Sequence, residues 1–320
     1  MNLILNNNKI KILIDFKSKL EMFNLDKKKL LIFKKINSNL VFEFIDINKL
    51  KKKYEADIYW GTRINQNIAK RCDGLKWIHL GSVGYDKLNL DILKKKKILI
   101  TNSKGINADA VSNLVIFFLI DTSRKILINN QIDCRIEYEP NFHECIDLKY
   151  QKVCVLGFGR ISKKLKNFFS YGKINIDFLS NRKLKTKSVI DLKTFNTNIK
   201  NYDTIINLLS SNHSNENFLN LKLFNKMKKT VNLILVGRAK TVNLDNLYNF
   251  LKKNEKSSCY LDAIPEQNNK IIFKKLKKLK NVYITPHIGG YFRNYWKDQI
   301  SIFKHNLLLF LKGKKLKNLV

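Results

Sequence analysis

The chain has 320 residues, 44% of them hydrophobic, which is enough for two ordinary domains with proper cores and excludes an intrinsically disordered protein. Its formal net charge of +35 invites a nucleic-acid reading, but only eight of the 61 basic residues are Arg and the lysines are spread from end to end, so no specific nucleic-acid partner is expected. Five cysteines without a CxxC pair signal neither a disulfide framework nor a metal site, and the longest apolar runs, such as Leu114–Ile120, are too short to span a bilayer.

Short β-branched runs alternate with longer amphipathic ones nearly throughout, the pattern of parallel sheets with crossover helices. Strands are expected at Ile10–Asp15, Val41–Ile45, Asp57–Trp60, Trp77–Leu80 and Ile98–Thr101. A long helix, apolar on most faces, then runs from Ala108 to about Ile128; such a helix belongs between domains or subunits. A second series follows at Val153–Leu156, Ile176–Leu179, Thr204–Leu208, Val231–Val236, Cys259–Asp262 and Val282–Thr285. The stretch Tyr291–Leu311 reads as a final helix, with Gly313 where a capping glycine is expected. With no cleavage-like segment at its start, the chain reads as a soluble cytoplasmic protein with no membrane partner.

Two features carry chemistry. After Val153–Leu156 comes Gly157-Phe158-Gly159-Arg160-Ile161-Ser162, a tight turn opening a helix. Glycines there let the backbone approach a pyrophosphate, and the helix N-terminus offers free N–H groups and a positive dipole end. Ser162 stands where the dinucleotide fingerprint usually has a third glycine. The following strand ends in Ser180-Asn181-Arg182-Lys183, with no acid to accept from ribose hydroxyls. Basic and hydroxyl groups there suit a 2′-phosphate, so NADPH is favoured over NADH. Arg238, Glu266 and His287 each follow another strand-like run, and ionisable groups on rigid strand ends are what a proton-transfer site needs. Together they point to hydride transfer with a nicotinamide.

At these residues the chain resembles the D-isomer-specific 2-hydroxyacid dehydrogenases. Leu75-Lys-Trp-Ile-His-Leu-Gly-Ser82-Val83-Gly84-Tyr-Asp86 resembles the family's loop that binds a substrate carboxylate through backbone amides. Thr101 to Val111 is similar to the segment opening its interdomain helix, Asn232 to Leu247 to the run carrying its catalytic Arg. Leu261-Asp262-Ala-Ile-Pro-Glu266 resembles the Glu segment, and Thr285-Pro-His287 the catalytic His.

The resemblance covers about residues 55–320. It implies two Rossmann- or flavodoxin-like α/β domains with the active site in the cleft between them: residues 1–98 plus 290–320 for the substrate, and 99–289 for the dinucleotide. Arg238 would grip the carboxylate and polarise the 2-oxo group, His287 would protonate the carbonyl oxygen, and Glu266 would pair with His287. Amides at Ser82, Val83 and Gly84 would complete the substrate site. Gly157 to Ile161, Ser180 to Arg182 and Asp262 would hold the cofactor, NADPH preferred and NAD possible. The expected protein is a homodimeric oxidoreductase reducing a small 2-oxo acid such as glyoxylate or hydroxypyruvate to the D-2-hydroxy acid. Two alternatives are an NAD-dependent D-3-phosphoglycerate dehydrogenase and a dinucleotide-sensing regulator with little catalysis. Glu266 lies four residues past Asp262, where the family usually shows five, and Gln267 replaces the usual Pro.

Overall fold

The β-branched and aromatic runs do form parallel strands, in a computed structural model that describes residues 9–16, 24–47, 49, 53–62, 68–85, 88–129, 145–182, 186–263 and 270–320. The chain divides into two units, Met1–Ile106 with Phe292–Val320, and Asn107–Tyr291. Both are α/β with parallel sheets, the fold class expected.

In the first unit the strands are β1 (Ile10–Asp15), β2 (Leu40–Phe44), β3 (Tyr54–Glu55), β4 (Ile58–Gly61), β5 (Cys72–Asp73), β6 (Trp77–Leu80) and β7 (Leu99–Asn102). Five of them form one parallel sheet in the order β2-β1-β4-β6-β7, and β3 pairs with β5 beside it. All four residues of both β4 and β6 are buried, as in a sheet covered on its two faces. The helix Tyr295–Leu311 supplies one cover. Phe303 lies flat on Trp60, with ring centroids 4.0 Å apart, and on Trp77 at 5.2 Å. Truncating a buried aromatic of this kind costs about 3–5 kcal/mol, which is why the C-terminal segment folds back onto this sheet. The helix ends as expected: Gly313 takes φ 62, the left-handed turn that stops it.

The second unit holds β8 (Lys152–Leu156), β9 (Asn175–Leu179), β10 (Val189–Ile190), β11 (Thr204–Asn207), β12 (Asn232–Leu235), β13 (Ser258–Leu261) and β14 (Val282–Ile284). They form a parallel sheet in the order β10-β9-β8-β11-β12-β13-β14, so the winding reverses between β8 and β11. The long helix Ala108–Arg124 packs Val111, Val115, Phe118 and Leu119 into the core with Tyr260, whose ring lies 5.2 Å from that of Phe118.

Two expected boundaries move. The strand expected at Ile98–Thr101, which the boundary expected between 98 and 99 would cut, is the outer strand of the first unit's sheet, with Leu99 beside Trp77 and Ile100 beside Ile78. The units therefore part after Ile106 and again after Tyr291. The single helix expected over 108–128 is broken at Lys125, which adopts φ 57; a short helix, Ile126–Asn129, follows. No described helix is long and apolar enough to cross a membrane.

Candidate active site

Because every strand of the seven-stranded sheet runs the same way, the residues that follow β8, β9, β11, β12, β13 and β14 emerge along one edge. Carboxyl ends of parallel strands next to a winding reversal are where open α/β sheets bind ligands. After β8, Gly157 takes φ +103, which a residue with a side chain rarely adopts, and the helix Arg160–Tyr171 begins three residues later. A Cβ built on Gly159 meets no atom within 4 Å, so the turn faces open space where a pyrophosphate fits against the helix N-terminus.

Ser162, at the third fingerprint position, is buried. Its hydroxyl donates to the Gly157 carbonyl at 2.6 Å and accepts from the Gly159 N–H at 3.4 Å. The serine thus keeps the close packing a glycine would allow and also ties the turn to itself. The Phe158 ring packs edge-on against Phe178, and Ile161 is half-buried. Beyond β9, Ser180 accepts from the Arg182 N–H at 3.1 Å, and the Arg182 guanidinium donates to the Phe158 carbonyl. Asn181 and Arg182 are exposed, Arg160 too, while Lys183 lies outside the described residues.

Arg238 follows β12 on a backbone held at several points. Its N–H donates to Leu209 O at 3.1 Å, and the Gly237 N–H donates to Asn207 O at 2.8 Å. The Arg238 carbonyl accepts from the Thr241 hydroxyl at 2.6 Å, and that hydroxyl accepts from buried Asn207 Nδ2 at 2.8 Å. The half-buried arginine therefore stands on a turn fixed by the neighbouring strand end.

Asp262, which closes β13, is only 3% exposed. Its Oδ1 accepts from Thr285 Oγ1 at 2.6 Å and from the Ile288 N–H at 2.8 Å, and its Oδ2 accepts from the Gly289 N–H at 2.9 Å. The carboxylate, expected among the cofactor contacts, clasps both sides of the turn that carries His287. His287 itself is exposed, at φ 59, with its N–H donating to Thr285 O at 2.9 Å. A left-handed non-glycine residue costs about 1–2 kcal/mol, which the clasp offsets. Glu266 falls in residues 264–269, outside those described.

In the first unit the run Ser82-Val83-Gly84 follows β6, half-buried, and starts from buried Gly81. A Cβ on Gly81 would lie 2.3 Å from the Phe16 ring, so only glycine lets the chain leave the strand there. Beneath it His79 is fully buried between Trp77 and Phe303, and burial lowers its pKa to about 3. The grip of Asp262 and the Asn207–Thr241 support were not apparent from the sequence. Asn and Asp next to strand ends are common in this chain, and only the fold shows which of them reach across.

Residues 116–289, more than half the chain, match the family described as D-isomer specific 2-hydroxyacid dehydrogenase, NAD binding domain. Over 292 residues the chain is 30% identical to an erythronate-4-phosphate dehydrogenase of Wigglesworthia glossinidia brevipalpis, spanning 89% of this chain and 70% of that protein. Over 268 residues it is 26% identical to a glyoxylate reductase of Thermococcus litoralis, spanning 81% of this chain and 80% of the relative. Among solved structures, an NAD-complexed D-isomer specific 2-hydroxyacid dehydrogenase from Lactobacillus delbrueckii ssp. bulgaricus shares the fold with a TM-score of 0.77. The identity is 20%, over 97% of this chain and 99% of that one.

Proposed function

The chain belongs to the D-isomer-specific 2-hydroxyacid dehydrogenases, and from that membership and its strand-end residues we propose an NADPH-preferring reductase of small 2-oxo acids, of glyoxylate or hydroxypyruvate type. The observation that carries this is the shared edge. One parallel sheet sets the Gly157 turn, Arg238 and the clasped His287 turn on the same carboxyl side.

In this reading the Asn107–Tyr291 unit binds the dinucleotide, and a bound nicotinamide supplies the hydride. The remaining work falls to the chain. Backbone amides at Gly157 to Ile161 and the helix N-terminus take the pyrophosphate, and Ser180, Asn181 and Arg182 take the 2′-phosphate. Asp262 fixes the turn that carries His287 and would help to hold the cofactor. Arg238 binds the substrate carboxylate as a planar fork and polarises the 2-oxo group. His287 gives its proton to the carbonyl oxygen, with Glu266 as its partner. In the other unit, the amides of Ser82, Val83 and Gly84 are donors for a substrate carboxylate. The exposed side chains of Phe117, Ile120 and Ile126 on and just after the long helix give a homodimer an apolar surface to cover. Work in the cytoplasm is part of the same reading.

A second reading takes a phosphorylated 2-hydroxy acid as the substrate, oxidised with NAD. It is favoured by the 30% identity to an erythronate-4-phosphate dehydrogenase and by the chain's +35 charge, which attracts phosphorylated anions. D-3-phosphoglycerate belongs to the same substrate class.

The test mixes purified protein with NADPH or NADH and glyoxylate, hydroxypyruvate, pyruvate or 3-phosphohydroxypyruvate. It also runs NAD with 4-phosphoerythronate and 3-phosphoglycerate, following nicotinamide absorbance throughout. Turnover with an unphosphorylated 2-oxo acid that favours NADPH and vanishes in His287→Ala is the expected outcome. Turnover confined to the phosphorylated acids selects the second reading. Cofactor binding without any turnover overturns both and leaves a dinucleotide sensor.

A further inference from the structure

The loop after β6 is held by its carbonyls. Ser103 Oγ lies 2.8 Å from Leu80 O. Tyr295 Oη donates to Gly81 O at 3.1 Å, and Gln299 Nε2 donates to that same oxygen. The Ser103 N–H donates to Ser82 O at 3.2 Å, Asn102 Nδ2 to Val83 O at 2.8 Å, and Ser82 Oγ to Gly84 O at 2.9 Å. Among the described residues, by contrast, the N–H groups of Ser82, Val83 and Gly84 donate to no protein acceptor.

A trans peptide unit is planar, with its C=O and the next residue's N–H pointing opposite ways. Fixing the carbonyls of residues 81, 82 and 83 therefore aims the N–H groups of 82, 83 and 84. The groups doing the fixing come from far along the chain and are themselves locked. Gln299 is fully buried and Tyr295 nearly so, one turn apart on the helix Tyr295–Leu311, with Gln299 Nε2 donating to Tyr295 Oη at 3.0 Å. Gln299 Oε1 lies 2.9 Å from Ser103 Oγ, and Asn102 and Ser103 leave β7 beside the loop.

We propose that Gln299, Tyr295 and Asn102 are positioning residues that aim the amides of Ser82, Val83 and Gly84 at a substrate carboxylate. The proposal rests on the reading above that this loop binds the carboxylate. A row of N–H groups aimed outward is a ready anion site, and a loop free to rotate its peptide planes would have to order them on every binding event. Gln299 needs both ends of its amide for this, the nitrogen to hold Gly81 O and the oxygen to meet Ser103.

The experiment uses full-length protein saturated with reduced cofactor and oxamate as an unreactive 2-oxo acid analogue. Oxamate and cofactor affinities are measured by titration calorimetry for the wild type, Asn102→Ala, Gln299→Leu and Tyr295→Phe. The last removes one oxygen only and guards against a leucine variant that does not fold. Oxamate affinity is expected to fall about tenfold in Asn102→Ala and Gln299→Leu, and less in Tyr295→Phe, with cofactor affinity unchanged. Amide resonances of protein labelled with ¹⁵N at Ser, Val and Gly give a second readout. Asn102→Ala should move Gly84 most and Gln299→Leu should move Ser82 most, an offset of one residue that general loosening would not produce. Equal oxamate affinity in wild type and variants overturns the proposal. If the wild type binds no oxamate, the carboxylate reading of the loop falls, and the resonances decide alone: the offset pattern upholds the aiming role, and coincident spectra overturn it.

Discussion

The fully buried His79 makes a stability prediction that can be worked through. Its Nδ1 lies 2.7 Å from Thr101 Oγ1, which already accepts from the Trp77 indole N–H at 2.8 Å. The ring thus has a hydroxyl beside each nitrogen, Thr101 Oγ1 at Nδ1 and Ser103 Oγ 3.5 Å from Nε2, and no carboxylate partner among these contacts. Burial holds the folded pKa at about 3, against 6.5 for a free imidazole. A histidine with a depressed folded pKa is neutral in the fold, while the unfolded chain takes up a proton once the pH drops below about 6.5. Its contribution is thus fully present above pH 6.5 and is lost progressively as the pH falls toward 3. At about 1.4 kcal/mol per pH unit, the loss between pH 8 and pH 5 is about 2 kcal/mol from this one residue. The chain's three tryptophans, Trp60, Trp77 and Trp296, all lie in the Met1–Ile106 and Phe292–Val320 unit, so urea unfolding followed by tryptophan fluorescence reports on that unit. Wild type and His79→Gln are compared at pH 8 and pH 5, which cancels every other titrating group common to both. Wild type should lose about 2 kcal/mol more than the variant between the two pH values. Equal losses would refute the neutral buried histidine.

Two further substitutions test the cofactor and proton-transfer halves of the proposed function. Arg182→Ala removes a guanidinium that now rests on the Phe158 carbonyl; it should weaken NADPH binding about tenfold and leave NADH binding nearly unchanged, measured by quenching of protein fluorescence. An equal loss for both cofactors would mean that Arg182 supports the turn and not a 2′-phosphate. Asp262→Asn places an amide NH₂ against backbone N–H groups that need acceptors, so the His287 turn should lose its clasp. Turnover should fall about a hundredfold, the scale of a misplaced catalytic group, with the pH profile altered. Unchanged turnover would show that the turn holds its place without the carboxylate.

What was legible in the sequence, and what was not, follows from what a local pattern can encode. The strands of both sheets showed because fully buried parallel strands are β-branched runs, and most were expected within a residue or two of where they lie. The two-residue strands Tyr54–Glu55, Cys72–Asp73 and Val189–Ile190 are too short to carry a period. Leu99–Asn102 was recognisable as a strand of the first series, but the boundary beside it was not, because its side chains say nothing about where the chain leaves the sheet. The break at Lys125 left no mark either: no glycine stands there, and the apolar run continues past it.

The site divides along the same line. Gly157, Arg238 and His287 stood out because a glycine turn, a rare arginine and a histidine each end a strand, where residue type alone suggests chemistry. The part that other residues play in holding those groups in place did not stand out, even for Asp262, because their partners are remote. Asp262 grips a turn 26 and 27 residues on, and Gln299 holds a carbonyl 218 residues back. A buried glutamine on an apolar helix reads in sequence as one polar residue on a mostly buried face; its partner appears only when the helix is laid on the sheet. Candidate positions were therefore readable singly, while what holds them in place depends on pairings that exist only in the folded chain. For that reason substitutions at Asn102, Asp262 and Gln299, and not only at Arg238 and His287, are the ones that test how this site works.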